Sequence, residues 1–202
     1  MSHNREYFDG DYDSSTEDYL SLSNANKAKI RRYFNEMKDP LEIENINFHA
    51  SSADDANVIP FFEQCKNLMT VDLSNTKITN ASLIALFKNC PNLMHLNIDE
   101  CHGLSTIDIS LGCTKLVKLD VANCPSITSI DSLLKNSPEM SELYINDSPK
   151  LSPHIFSSII KYCPELIFIS FTGDESNLQV LKKAFPALHY ICYTRQGELH
   201  NI

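Results

Sequence analysis

The chain has 202 residues, a net charge of −9 and ordinary apolar content (43%), with no apolar run long enough to span a bilayer. The negative charge argues against a nucleic-acid partner, which needs clustered lysine and arginine to displace counterions. Seven cysteines, with no C-x-x-C pair, argue against a disulfide framework and against zinc. No apolar signal segment follows Met1, so a reducing, cytoplasmic location is expected.

In chain order, residues 1–19 are acidic and polar (Asp9, Asp11, Asp13, Glu17, Asp18) and bury too little to order themselves, so a flexible tail is expected. Within 20–39, Ser23 or Asn24 can cap a helix. Ile30, Tyr33, Phe34 and Met37 form one apolar stripe, and Asp39-Pro40 ends it. This segment is expected to be a capping helix over the unit that starts at residue 40.

From residue 40 to 194 one apolar stencil recurs. Its clearest copies are Leu68-x-x-Val71-x-Leu73, Leu93-x-x-Leu96-x-Ile98 and Leu116-x-x-Leu119-x-Val121. Fainter copies are Ile43/Ile46/Phe48, Met140/Leu143/Ile145, Leu166/Ile169/Phe171 and Leu188/Ile191/Tyr193. The units start at 40, 65, 90, 113, 137, 163 and 185, which is the period of a leucine-rich repeat. Each unit reads strand, turn, helix. Asn89, Gly112 and Asn136 are expected to end helices in the left-handed conformation, with Pro91, Pro138, Pro164 and Pro186 just beyond. Residues 102–112 are β-branched and alternating, so an irregular return replaces a helix there. Residues 195–202 form a polar C-terminal tail. The expected fold is an α/β leucine-rich-repeat solenoid, a right-handed horseshoe of about seven repeats with a parallel concave sheet and convex helices.

The stretches Cys90-Pro-Asn-Leu-Met-His-Leu-Asn-Ile-Asp-Glu-Cys101, Cys113-Thr-Lys-Leu-Val-Lys-Leu-Asp-Val-Ala-Asn-Cys124 and Cys163-Pro-Glu-Leu166 resemble the cysteine-containing subfamily of leucine-rich repeats. The likeness covers residues 40–194. It is similar to the repeat half of F-box proteins and to leucine-rich-repeat effectors of intracellular bacteria. The resemblance implies protein binding and carries over no catalytic residue, cofactor or metal. Two departures stand out. Ser51, Thr76, Ser148 and Asp174 replace the Cys or Asn of the family's turn position, so a patchy buried ladder is expected. The residues ahead of the first repeat are also too few for an F-box.

Strand positions between core residues point outward. The first outward column is Asn45, Thr70, His95, Lys118, Glu142, Phe168, Tyr190. The middle one is Asn47, Asp72, Asn97, Asp120, Tyr144, Ser170, Cys192, and the third is His49, Ser74, Asp99, Ala122, Asn146, Thr172, Thr194. Asp72, Asp99 and Asp120, with Glu100 beside them, are expected to make an acidic patch, and Tyr144, Phe168 and Tyr190 an aromatic one. With His95, Asn97, Lys118 and Glu142, the three aspartates and the three aromatics form the expected partner-binding set. It suits a protein presenting basic residues around an apolar knob.

The resulting expectation is a non-enzymatic module, monomeric on its own and with no membrane or nucleic-acid partner. It would act as an effector, in a host cytosol if bacterial, or as an inhibitor that blocks a partner sterically. An adaptor of a ubiquitin ligase lacking its own F-box is the alternative. A cysteine enzyme using Cys101 and His102 is a third, disfavoured because Cys101 falls in phase with the buried ladder.

Overall fold

A 25-residue unit with one apolar face cannot bury that face alone, so neighbouring units must stack and share one core. In a computed structural model, which describes residues 19–107, 114–194 and 197–201, they do so through one nine-stranded sheet in sequential order. The strands are β1 (Tyr19–Ser21), β2 (Asn45–Asn47), β3 (Thr70–Asp72), β4 (His95–Asn97), β5 (Lys118–Asp120), β6 (Glu142–Tyr144), β7 (Phe168–Thr172), β8 (His189–Thr194) and β9 (Gly197–Asn201). The first eight run parallel, and β9 returns antiparallel on β8.

The return segments carry helices α1 (Lys27–Glu36), α2 (Asp55–Gln64), α3 (Asn80–Asn89), α4 (Asp131–Lys135), α5 (Ile155–Tyr162) and α6 (Glu175–Ala184). Neighbouring helices pack on one another from α1 to α3 and again from α4 to α6. Between β4 and β5 the described residues 101–107 contain no helix, as their β-branched sequence predicts. The remainder of that return, with Gly112 and Cys113, lies outside the described residues.

The core is the stencil itself. Leu68, Val71, Leu73, Leu93, Leu96, Ile98, Leu116, Leu119 and Val121 are all fully buried. Phe48, Phe61 and Phe62 fill the first repeats, and Phe171 the sixth.

The N-terminal cap has more than a helix. Tyr19–Ser21 adds a strand in register with β2, so Leu20 stands beside Ile46. Leu22, just beyond it, is fully buried. Asn26, rather than Ser23 or Asn24, caps α1 by accepting from the Lys29 N–H at 2.9 Å. Ile30 is buried, Phe34 and Met37 pack on the core, and Tyr33 stays exposed. Residues 1–18 lie outside the described residues.

Left-handed backbone is found elsewhere than expected. Asn24, Ala50, Asn75, Glu100, Asn123 and Asp147 have positive φ, one in each turn that leaves a strand from β1 to β6. The helix ends at Asn89 and Asn136 are closed by side chains instead. Each donates its amide Nδ2 to the carbonyl four residues back, Ala85 and Ser132 respectively, at 2.8 Å. The side chain thus adds a second bond at the helix end, the Ser132 carbonyl also accepting the Asn136 backbone N–H at 3.3 Å, without a left-handed residue.

The buried ladder is patchy, as the replaced turn positions predict, with Ser148 adding one rung to those of the cysteines. Cys101 donates its thiol to the Leu73 carbonyl (3.1 Å) and Cys124 to that of Ile98 (3.2 Å). Ser148 donates its hydroxyl to the Val121 carbonyl of the preceding repeat (2.9 Å), whereas Thr76 donates to the Leu73 carbonyl of its own turn (2.5 Å). A hydroxyl and a thiol are both small donors, so Ser148 continues what the cysteines begin. Asp174 leaves the series: it caps α6 in a reciprocal capping box with Asn177.

Candidate partner-binding face

The sheet has one face against the helices and one turned away. Register fixes the outward columns from β2 to β7: Asn45, Thr70, His95, Lys118, Glu142 and Phe168 stand side by side, as do Asn47, Asp72, Asn97, Asp120, Tyr144 and Ser170. At β8 the register corrects the expected placement of Tyr190. Phe168 pairs with His189, Ile169 with Tyr190 and Ser170 with Ile191. Tyr190 therefore occupies a core position, is 5% exposed, and has the Lys182 ammonium of α6 over its ring at 4.9 Å.

Repeat six places three residues between Leu166 and its next core position, Ile169, counting that position itself. Repeat seven places two, between Leu188 and Tyr190. A one-residue change in register exchanges inside and outside along the whole strand. His189 and Ile191 take the outward places expected for Tyr190 and Cys192.

The middle column turns out to build the turns. Asn47, Asp72, Asn97 and Asp120 each accept, at Oδ1, the backbone N–H two residues on, at 2.7, 2.9, 3.0 and 2.9 Å. Three residues beyond each lies the left-handed residue Ala50, Asn75, Glu100 or Asn123. A short polar side chain bonding its own backbone two residues ahead is the Asx turn. The periodic Asn/Asp at 47, 72, 97 and 120 is the sequence signal for it. Asp72 and Asp120, expected in the acidic patch, are thus also structural acceptors.

The third column adds to the network. Ser74 donates to Asp72 (2.5 Å), His49 Nδ1 lies 2.8 Å from Ser74 Oγ, and Asn123 donates to Asp99 (2.8 Å). Burial raises Asp72, and burial raises Asp99 with Glu100 and Asp72 adding like charge. Burial, then the Asp99 charge, push the Asp120 carboxyl up to about 8. The acidic patch is therefore weaker in charge than three free aspartates would be.

A second cluster stands over β5–β7. Lys118 pairs with Glu142 at 3.0 Å and lies 5.4 Å from the centre of the Tyr144 ring. Tyr144 and Phe168 stack with centroids 5.0 Å apart, and the Tyr144 hydroxyl donates to Glu142 at 3.3 Å. Tyr144 is 3% exposed, Phe168 is half-buried, and the neighbouring Ile167 is 56% exposed. Burial, then Lys118, hold the His95 imidazole below its usual pKa. Of the expected set, His95, Lys118, Glu142, Tyr144 and Phe168 are thus brought together. Asn97, Asp99 and Asp120 sit beside them on β4, its turn and β5, Asp72 lies farther off on β3, and Tyr190 is on the other side of the sheet.

Ser74, His49 and Asp72 do not stand in the order of a nucleophilic triad. The Ser74 hydroxyl gives its proton to Asp72 and meets His49 from the other side, so the histidine does not stand between serine and carboxylate. Cys101 is fully buried, and burial pushes its thiol up to about 11. The same holds for Cys65 (about 11), Cys90 (about 12) and Cys163 (about 12). A thiol needs exposure and a low pKa to react. All five described core cysteines (65, 90, 101, 124, 163) are therefore expected to resist a thiol-reactive probe in the native protein and to label together on denaturation. Mass mapping of the modified peptides checks this, and selective native labelling of Cys101 would revive the enzyme reading. Among the described residues, no group of three His, Cys, Asp or Glu side chains is placed to hold a metal. No helix among them is long and apolar enough to cross a membrane.

Fold and face together define a leucine-rich-repeat solenoid, a class that presents an extended sheet surface to other proteins. The family model described as "At1g61320/AtMIF1, LRR domain" matches residues 40–195, and the chain belongs to that family. No curated protein matches the chain in sequence. Among solved structures, the chain is similar to an internalin (InlF) from Listeria monocytogenes str. 4b F2365 at 23% identity and TM-score 0.58, covering 76% of this chain and 41% of that one. It is also similar to the Rad7 and Elc1 complex of yeast at 15% identity and TM-score 0.46, covering 84% of this chain and 60% of that one. The chain thus spans less than two thirds of either structure, and the internalin likeness speaks to fold alone.

Proposed function

We propose that this protein is a non-catalytic recognition module whose outward sheet face grips another protein and blocks or presents its surface. The observation that carries this reading is the unbroken register of outward residues across β2–β7, ending in the Lys118–Glu142–Tyr144–Phe168 cluster. Six strands at about 4.8 Å spacing offer a face roughly 24 Å across, the width of an ordinary protein interface. Phe168, with Ile167 at its side, is the apolar anchor. Lys118 and Glu142 give a charged rim, and Asp99 adds negative charge that favours basic partner residues. Tyr144 is too buried to contact a partner broadly and acts by holding Phe168 and Lys118 in place. An effector or regulator working by steric block, monomeric and in a reducing compartment, fits the five buried free thiols and this face.

Partner proteins recovered by affinity purification give the material for a test by calorimetry. Phe168→Ala is expected to weaken binding more than tenfold. Val180→Ser, on the opposite side of the domain in α6 and 50% exposed, is expected to leave it unchanged. Equal affinity of Phe168→Ala and the parent protein would remove this face from the model. Stoichiometric recovery of ligase subunits would favour the adaptor role.

A further inference from the structure

Asp120 stands in the middle of the sheet with 4% exposure, and its Oδ1 accepts a hydrogen bond from the Ala122 N–H. The charged and titratable groups around it are Lys118 on its own strand, His95, Asp99 and Glu100 from β4 and its turn, Asp72 from β3, and Glu142 with Tyr144 from β6. Lys118 pairs with Glu142, so its charge is shared, while Asp99 and Asp72 both repel a negative Asp120. The corresponding positions on β2 and β4 are Asn47 and Asn97, which form the same turn without a charge. In the return that precedes β5, the described residues 101–107 contain no helix.

We infer that Asp120 is a proton-controlled catch: with its proton in place β5 packs closed between β4 and β6, and loss of that proton loosens these strands. The inference is independent of what the face binds. The linkage follows from the carboxyl's upward displacement from 3.8 to about 8. The folded protein keeps a proton that the unfolded chain gives up, so this group's contribution is fully present below pH 3.8 and is lost as pH rises through 8.

The test compares the parent protein with Asp120→Asn by denaturant unfolding from pH 5 to 9. Asparagine keeps the Oδ1 acceptor and removes the charge. The ratio of folding constants, variant over parent, is expected to rise with pH at up to about tenfold per unit until near pH 8. Hydrogen exchange, corrected for its intrinsic pH dependence, should show faster opening of residues 114–124 in the parent alone at the alkaline end. Parallel pH profiles overturn the inference. If the variant does not fold, carbon NMR of the parent decides: an Asp120 carboxyl titrating above pH 6 supports the catch, and one titrating below that refutes it.

Discussion

Phe61→Ala is expected to cost about 3–5 kcal/mol of stability, the range for removing a fully buried phenylalanine. Phe61 lies on α2 with no exposed surface and joins two layers. Its ring meets Phe34 of the capping helix α1 edge-on at 5.1 Å and Phe48 of the first repeat at 5.4 Å. Deleting it leaves a cavity at the junction of cap and array. In a solenoid each unit is stabilised mainly by its neighbours, so an end that loses its cap frays inward. Urea unfolding should show the midpoint falling, with hydrogen-exchange protection lost first in residues 19–64. A loss under about 1 kcal/mol, well below the cavity range, or protection lost first at the C-terminal repeats, would show that the cap is held some other way.

Gly103→Ala is the second substitution with a large expected effect, about 2–3 kcal/mol, as for other overpacked sites. The chain at Gly103 passes so close to the Ile78 carbonyl that an added Cβ would sit inside van der Waals contact with that oxygen. The obstacle is backbone and cannot rotate away. Ile78 is fully buried, and the following Thr79 caps α3 while its own N–H is held by Asp55 at 2.9 Å. Asn80 further ties the loop down through its bonds to Ser105 and the Thr106 carbonyl. The irregular return must therefore lift off α3 or α3 must shift. Thermal unfolding of the variant checks the size of the effect, and an unchanged midpoint would mean that the loop yields freely.

Much of this architecture is legible because the repeat states it several times over. One apolar stencil with the right period implies strands in register, and Leu96, Leu119 and Leu143 pair across β4–β6 as that implies. Cysteine in phase with the stencil is readable as core, since a small apolar side chain suits a position repeated inside a solenoid. The first outward column is legible through β7 for the same reason, because strand alternation is geometric.

The site is less legible where two roles fit one residue type. An outward Asp reads as surface charge, yet Asp72 and Asp120 are held in the turns they close. Tyr144 reads as an exposed aromatic, yet Lys118, Glu142 and Phe168 pack around it. Tyr190 is misplaced by the stencil because two registers of Leu188–Tyr193 both bury apolar residues. Only pairing with β7 selects the one that puts Tyr190 inside and Ile191 out.

The sequence by itself determined the solenoid class, the core positions of the regular repeats and the lack of helix in residues 101–107 after β4, because each is set by local periodicity and propensity. The tertiary structure decided the extra cap strand, the last register and the burial of the outward acids. Those depend on which neighbouring strand supplies a hydrogen-bond partner or excludes water, and no residue carries that information alone.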